Sequence, residues 1–567
     1  MRIPRPRLLR VGLAGLVALT IGPTRPAPAG AALSPLAKLD LPLQARHATA
    51  GRSRVIVQAG TLPVLSPVLA LVPLLGGHVL RQLPIVNGAV LDLPNAALMA
   101  LASNPLVARI SHDRPIAAAN ERTGATIGST AARARFGLDG SGVGVAIVDS
   151  GVMASHDDLG ARVERFVDFT SNRTSPYDGF GHGTHVAGIV GGDGTDSDGA
   201  RTGVAPGVRL TVLKVLDDEG RGRISDAIAA LGYSVDRRDE LHIRVVNLSI
   251  AAAVYESAFT DPLTLAAREA VDAGIVVVAA SGNNGRSPQG RIQYGGITAP
   301  GNAPWVLTVG ASSHMGTTDR ADDTIAAFSS RGPTAVDRTA KPDLVAPGVG
   351  IESLSDRFGS LYSSNAAALL PGTAPGPFLP YMSLSGTSMA APVVTGTVAL
   401  MLQANPALTP NAVKAILQFT AQTYAGYDPL TQGAGFLNAE GAVSLAAWYA
   451  APATTPFPDP GAWSRHLLWG TRMLDGPGVM PDAVSWAVGA IWGGGLPGPA
   501  SLRNVVWGTL CGGADCDVPW DSRVVTTTND ADESDTVVWG TNDEQDTVVW
   551  GTSCSDPSCA PVVWGRQ

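Results

Sequence analysis

Apolar residues along this chain fall into short continuous runs separated by glycine- and proline-rich breaks. Residues 142–148 (GVGVAIV), 245–250 (VVNLSI) and 275–280 (IVVVAA) are nearly unbroken apolar segments of strand length. Such runs mark parallel strands covered on both faces, because a strand open to water on one side alternates instead. Residues 393–402 form a longer apolar stretch of helical length, opening from SGTSMAAP at 385–392. Pro392 is expected in the first turn of that helix, where a missing N–H costs nothing. The pattern predicts an α/β fold, a parallel sheet flanked by helices.

On either side of this region the pattern changes. Residues 54–58 read as a strand, 65–75 as an apolar helix interrupted by prolines, 78–83 and 88–93 as a strand pair, 95–104 as a helix and 107–110 as a last strand. That β-α-β-β-α-β order predicts a small α+β sandwich of ferredoxin-like type. Residues 1–32 carry Arg2, Arg5, Arg7 and Arg10, an apolar run at 11–21 and a small-residue end at 27–32. This is the pattern of a secretory signal peptide, and the run is too short to span a bilayer. No other candidate span stands in the sequence, so a soluble protein outside the cytoplasm is expected. Residues 452–460 read as a proline-rich linker. Beyond it Trp-Gly-Thr recurs at 469–471, 507–509, 539–541 and 550–552, with Trp564-Gly565 near the end. Each repeat reads as a short strand and a turn, and the irregular spacing does not fit a solenoid of one period. The tryptophans either stack on sugars or aromatic polymers, or pack on one another in a small repeat structure or surface contact. The tail, residues 449–567, is expected to be an independent β-rich module, dispensable for chemistry.

Composition narrows the classes. The chain has 567 residues, enough for two or three domains. Only 16% are charged and the net charge is −8, so no basic patch points to nucleic acid. Cys511, Cys516, Cys554 and Cys559 all lie in the tail, so no cysteine nucleophile is available centrally. Two local disulfides or a zinc site both fit their spacing, and a secreted context favours the disulfides.

Candidate chemistry sits where the apolar runs end. The first run ends at Asp149, at the carboxyl end of a strand, where ligands gather in open parallel sheets. His182 stands between glycines at the start of a helix in GHGTHVAG. His182 and His185 are three apart, but no third ligand stands at metal-site spacing. An imidazole beside a carboxylate and a hydroxyl is expected for His182, and a packing role for His185. Asn283, in SGNNG, either aims its amide N–H at an oxyanion or serves as a left-handed turn residue. Ser388 is expected at a helix N-terminus, where unpaired N–H groups and the dipole favour developing negative charge. A serine at such a place is otherwise a plain cap.

Taken together, the order Asp149, His182, Asn283, Ser388 in the blocks VAIVDSGV, GHGTHVAG, AASGNNG and SGTSMAAP resembles the subtilisin-like serine protease family. VVNLS, FSSRGP and KPDLVAPG support the resemblance, which covers about residues 130–445. It implies a secreted serine endopeptidase acting on proteins or peptides, with Ser388 as nucleophile, His182 as proton carrier and Asp149 as its orienting carboxylate. The Ser388 N–H and the Asn283 side chain would bind the oxyanion. Ser249, with Leu248, would lie on the strand that pairs the substrate backbone. Residues 33–119 would be a propeptide that assists folding, inhibits the enzyme and is cut off by it between about residues 116 and 122. The catalytic domain would span 120–448. No cofactor is needed for the chemistry.

Many family members bind a structural calcium in the loop corresponding to residues 191–203. Asp158, Asp193, Asp196 and Asp198 supply oxygen donors there, so a calcium site and a solvated acidic turn are both open. The sequence departs from the family in two further places. Ile250, Ala251 and Ala252 replace glycines and are expected to narrow the specificity pockets. Residues 358–382 look like an inserted flap beside the cleft. The rival class is a surface adhesion or scaffold protein whose protease-like domain does not turn over, and no catalytic residue is missing to favour it. A serine esterase would carry Gly-x-Ser-x-Gly in another chain order. The tail would hold the enzyme on a cell surface or polymer.

Overall fold

The apolar runs form the middle of one twisted sheet. A computed structural model describes residues 34–113, 115–118, 127–287, 290–315, 317–318, 320–373, 376–475, 479 and 501–504. Residues 1–32, the four cysteines and the Trp-Gly-Thr repeats after residue 504 lie outside the described residues.

Strands β1 (Arg52–Ala59), β2 (His78–Leu83), β3 (Gly88–Pro94) and β4 (Val107–His112) make an antiparallel sheet in the order β2-β3-β1-β4. Helices Leu62–Leu71 and Leu98–Ala102 complete the β-α-β-β-α-β unit. The first helix ends before Pro73, which cannot donate to the helical ladder, so 73–75 forms a separate turn. Alternation sorts its residues: Val55, Val57 and Leu91 face the unit's own helices, whereas Ile56 and Val90 join the apolar layer of the next domain. Arg81–Asp226 and Arg109–Glu256, each at 2.7 Å, pin the two together.

The chain then passes through β5 (Pro115–Ala118) into the larger domain. Its strands are β6 (Gly144–Asp149), β7 (Val163–Asp168), β8 (Arg209–Lys214), β9 (Arg221–Arg223), β10 (Ile243–Leu248), β11 (Ile250–Ala251), β12 (Val276–Ala280), β13 (Leu307–Ser313), β14 (Thr324–Ile325) and β15 (Leu344–Pro347). The main sheet runs β14-β13-β12-β10-β6-β8-β7, with β15 also on β13. All its pairings are parallel except β13–β14, an antiparallel edge absent from the expectation. Val145 and Ile147 face helices His182–Gly191 and Thr387–Ala404, while Ala146 and Val148 face helices Ile224–Asp236 and Pro262–Asp272. Both faces are covered, which is why the strands read as unbroken apolar runs. Among the described residues one helix, Thr387–Ala404, is long and apolar enough to cross a membrane, and 89% of it is buried inside the protein.

β16 (Ile351–Leu354), β17 (Leu369–Leu370) and β18 (Tyr381–Leu384) form a side sheet in the order β16-β18-β17. The expected inserted flap therefore ends sooner than drawn: Tyr381 and Met382 are buried in β18. Before them, the backbone of Ser360 and Leu361 bonds to Gly179 and Phe180, just ahead of His182.

The expected linker is packed rather than free. Phe457 meets Trp448 edge-on at 5.0 Å, and Trp463 meets Phe419 edge-on at 5.9 Å. β19 (His466–Trp469) and β20 (Arg472–Asp475) follow as a hairpin, with Gly470 at φ +58° in its two-residue turn, and β21 (Ser501–Asn504) pairs with β20. Leu467, Trp469 and Leu474 enter the main core. Leu468 N–H donates to Gln418 Oε1 at 2.6 Å, and Ala340 N–H to the Gly470 carbonyl at 2.7 Å. The first Trp-Gly-Thr repeat thus belongs to the body of the larger domain, past the boundary expected at 449. The prolines of 452–460 read as a spacer, but the aromatic residues among and beside them supply the packing.

Candidate active site

Three chain segments bring Asp149, His182 and Ser388 to the carboxyl ends of the sheet. Asp149 ends β6, His182 opens the helix His182–Gly191, and Ser388 is the second residue of the helix Thr387–Ala404. All three are 0% exposed. Asp149 Oδ1 accepts the Nδ1–H of His182 at 2.7 Å and the Ser150 N–H at 2.7 Å. A carboxylate on Nδ1 fixes the tautomer and leaves Nε2 as the basic nitrogen.

Pro392 is the sixth residue of its helix, not in its first turn as expected, because the helix begins at Thr387. A proline there cannot donate to the carbonyl four residues back, which is that of Ser388. Ser249 supplies the replacement: its Oγ–H donates to the Ser388 carbonyl at 2.7 Å. Ser388 Oγ–H in turn donates to the Ser249 carbonyl at 3.2 Å.

Asn283 lies in the turn after β12. Its Oδ1 accepts from Thr387 N–H at 3.1 Å and Thr387 Oγ1–H at 3.0 Å. Two donors on one face settle which amide atom is which, so Nδ2–H₂ points away from Thr387. The preceding Gly282, at φ +99°, donates its N–H to Thr387 Oγ1 at 3.2 Å, and a side chain there would also collide with Thr298.

Beside Ser388 lies a three-stranded antiparallel sheet in the order β11-β5-β9. Ala118 and Ala117 pair with Ile250 and Ala251, while Pro115, Ile116 and Ala117 pair with Arg223, Gly222 and Arg221. The chain's own segment therefore lies as the central strand between two strands of the larger domain. This corrects the expected pairing edge. Leu248 is paired on both sides within the main sheet, to Val148 and Ala279, and its side chain is in the core. Ser249 spends its hydroxyl on Ser388. Ile250 and Ala251 carry the edge, and the Ile250 side chain packs into the core.

The second histidine has a packing role. His185 Nε2–H donates to the Met382 carbonyl at 3.1 Å, and burial, with His182 beside it, pushes its pKa down to about 3.

The acidic loop does not assemble as a calcium site. Asp193 Oδ1 accepts from Thr195 and its Oδ2 meets Arg162 at 3.0 Å. Asp158 Oδ1 accepts the Asp196 N–H at 2.8 Å and its Oδ2 accepts the Tyr381 hydroxyl at 2.7 Å. Asp198 is exposed. His156, which the sequence did not single out, gathers with Asp158 and Asp196, but its Nδ1 accepts the Asp158 N–H and its Nε2–H donates to the Pro380 carbonyl. Calcium requires six to eight converging oxygens, and both carboxylate oxygens of Asp158 and of Asp193 are already engaged by N–H, O–H or guanidinium donors. The four aspartates do not gather as one ligand set: Asp158 and Asp196 come together with His156, and Asp193 and Asp198 stand outside that group.

Asp178 and Asp356 also escaped the sequence reading. Both are buried near the start of the histidine helix, and burial, then the charge of Asp178, pushes the Asp356 carboxyl up to about 7.

The family model described as the subtilase family matches residues 140–442. Serine protease AprX of Bacillus subtilis (strain 168) is 40% identical over 311 residues, covering 54% of this chain and 67% of that one. Subtilisin E of the same organism is 33% identical over 370 residues, 65% of this chain and 83% of that one. Among solved structures, fervidolysin from Fervidobacterium pennivorans superposes with a TM-score of 0.53 at 23% identity, over 70% of this chain and 61% of that one, a likeness of fold. Sequence similarity at this level, across the segment that carries these side chains, has one meaning: the chain belongs to the subtilase family and is a serine endopeptidase.

Proposed function

We propose that Asp149, His182 and Ser388 are the catalytic triad. The observation that carries this is the fully buried Asp149–His182 hydrogen bond of 2.7 Å. Ser388 Oγ–H turns from the Ser249 carbonyl to His182 Nε2, which takes the proton as Oγ attacks the scissile carbonyl, and the same proton then passes to the leaving amine. Asp149 keeps Nδ1–H in place and stabilises the imidazolium. Water repeats the sequence on the acyl-enzyme, releasing the acid product. The Ser388 N–H and the Asn283 amide hold the oxyanion; the Thr387 bonds to Asn283 Oδ1 support this, because they turn Nδ2 outward.

Residues 33–119 act as an inhibitory propeptide, and the enzyme cuts itself between about residues 116 and 122. The placement of β5 between β9 and β11 supports this reading, since a substrate backbone would add as a strand at the same edges. Residues 1–32 direct secretion. The repeats beyond residue 504, with disulfides Cys511–Cys516 and Cys554–Cys559, retain the enzyme at a cell surface or insoluble polymer.

The test is fluorophosphonate labelling of purified protein, followed by N-terminal sequencing. The parent should label at Ser388 and begin near residue 120. Ser388→Ala should neither label nor mature. Maturation of purified Ser388→Ala would overturn self-cleavage, and labelling elsewhere would overturn the triad.

A further inference from the structure

One buried carboxylate beside the Asp149–His182 pair has no part in the steps above. Asp178 is 2% exposed. Its Oδ1 accepts Ser150 Oγ–H and Gly181 N–H, both at 2.8 Å. Its Oδ2 accepts Thr184 N–H and Thr184 Oγ1–H, both at 2.7 Å. A group that accepts four bonds and donates none is the ionised carboxylate, and charge-assisted bonds of this length are strong.

These bonds join two segments that each carry a catalytic side chain. Thr184 belongs to the first turn of the histidine helix, whose leading N–H groups have no partner inside the helix. Gly183 N–H, in the same turn, donates to Ser150 Oγ at 2.9 Å. Ser150 directly follows Asp149 and gives its own N–H to Asp149 Oδ1. The Ser150 carbonyl accepts from the buried Lys214 ammonium at 2.6 Å. Thr184 Oγ1 also accepts the Met153 N–H at 2.9 Å, a second tie from the helix to the loop after β6. A side chain at Gly183 would collide with the Gly151 carbonyl and touch Asp149, so the helix start and strand end are in direct contact.

We propose that Asp178, acting through Ser150, is a positioning residue that fixes the Asp149 carboxylate against His182 Nδ1. The inference rests on the triad reading. Without the Ser150 bridge, strand end and helix start would still be joined by the Met153–Thr184 bond and the Asp149–His182 bond itself, but the residue that follows Asp149 would lose its side-chain tie to the helix. Catalytic groups lose rate steeply on small displacements, about 10²-fold for 1 Å.

The test uses the full chain, with kcat and KM on a short peptide, melting temperature, and the low-field proton resonance of His182 Nδ1–H. Ser150→Ala removes the bridge and leaves the bonds from Asp178 to Gly181 and Thr184. It should lower kcat tenfold or more with KM within twofold, and shift or broaden the low-field resonance. Ser150→Thr, which keeps the hydroxyl, should recover most of kcat. Asp178→Asn should lose more than Ser150→Ala; if it does not fold, the Ser150 pair decides. A lower melting temperature for Ser150→Ala with kcat and the resonance unchanged would make Asp178 a helix cap only and overturn the inference. A parent that labels at Ser388, with variants equal to it in kcat, overturns this inference alone. A parent that labels at another residue overturns the triad reading beneath it as well.

Discussion

Ser249 and Ser388 exchange two hydrogen bonds in opposite senses: the hydroxyl of each donates to the carbonyl of the other, at 2.7 and 3.2 Å. The exchange exists because Pro392 leaves the Ser388 carbonyl without its helical donor. The serine on the strand edge and the serine on the helix are therefore placed by one another. Asn247 Nδ2–H extends the network by donating to Ser249 Oγ at 2.9 Å.

Ser249→Ala should leave the Ser388 carbonyl buried and unpaired, at a cost of about 1–3 kcal/mol. In a domain of this size that lowers the melting temperature by roughly 5 °C. Pro392→Ala in the same chain restores an N–H to the Ser388 carbonyl, so the double variant should melt above the value that additivity gives. A double-mutant thermal cycle measures the coupling.

Asn283→Leu should lower kcat about 10²–10³-fold with little change in KM, the magnitude known for removing this donor from subtilisin. Thr387→Val, which removes one of the two donors orienting the amide, should show a smaller loss of the same kind. Steady-state kinetics on a soluble peptide separate the two effects. A change confined to KM would assign Asn283 to substrate binding.

Arg109→Ala removes the charged partner of Glu256, whose side chain is only 2% exposed, and leaves it the Thr260 hydroxyl at 3.2 Å. Removing one member of a buried pair costs several kcal/mol, much of it from the charge left behind. With the chain cut near residue 120, as proposed, the N-terminal unit should leave this variant at least tenfold faster. Recovery of activity after dilution follows the release.

Asp356 carries the clearest pH dependence. Burial, then the Asp178 charge, raises its pKa to about 7, above its ordinary value of 3.8. A carboxyl raised on folding contributes stability that is fully present below its unfolded pKa and lost as pH rises through the folded one. Asp356→Asn keeps an acceptor for the Phe358 N–H, which Asp356 Oδ1 now accepts at 2.8 Å. The melting temperature of this variant relative to the parent should therefore rise between pH 4 and pH 8. A difference constant with pH would show that Asp356 does not titrate in this window.

Cutting after Ala450 removes Trp463, Leu467, Leu468, Trp469, Met473 and Leu474, all buried. At about 1.5–3 kcal/mol for each large apolar side chain the loss exceeds what a domain tolerates lightly, and the melting temperature should fall by more than roughly 10 °C. Cutting after Asn504 should leave melting temperature and peptide hydrolysis close to the parent. Equal stability of the two truncations would restore the spacer reading.

Strand identity and the meeting of Asp149 with His182 were legible because each is written locally. An unbroken apolar run records a two-sided strand, and Asp149, His182, Asn283 and Ser388 stand in short blocks at the ends of such elements. What escaped is non-local. Ser249 reads as a residue of a substrate-pairing strand, and its hydroxyl gains a role only once Pro392 is seen to free a carbonyl 139 residues away from it. Asp193 reads as a calcium ligand until Arg162 is found against it, and Asp178 reads as a loop residue until Ser150 and Thr184 converge on it. Proline content predicted a spacer at 452–460, yet the packing of Phe457 depends on Trp448 and Trp463 lying on either side of it in space.

On the proposed reading of residues 33–119 as an inhibitory propeptide, the position of β5 has a consequence for how the enzyme would be switched. A strand joined by the chain to domains on both sides competes for its groove as though present at about millimolar concentration. A free peptide of equal affinity at micromolar concentration would then hold the groove in only about one molecule in a thousand. No realistic supply of substrate opens such a molecule by mass action. The proposed cleavage would change the rule: occupancy would become concentration-dependent, so the same chain would stay closed where it is crowded and open as it is diluted.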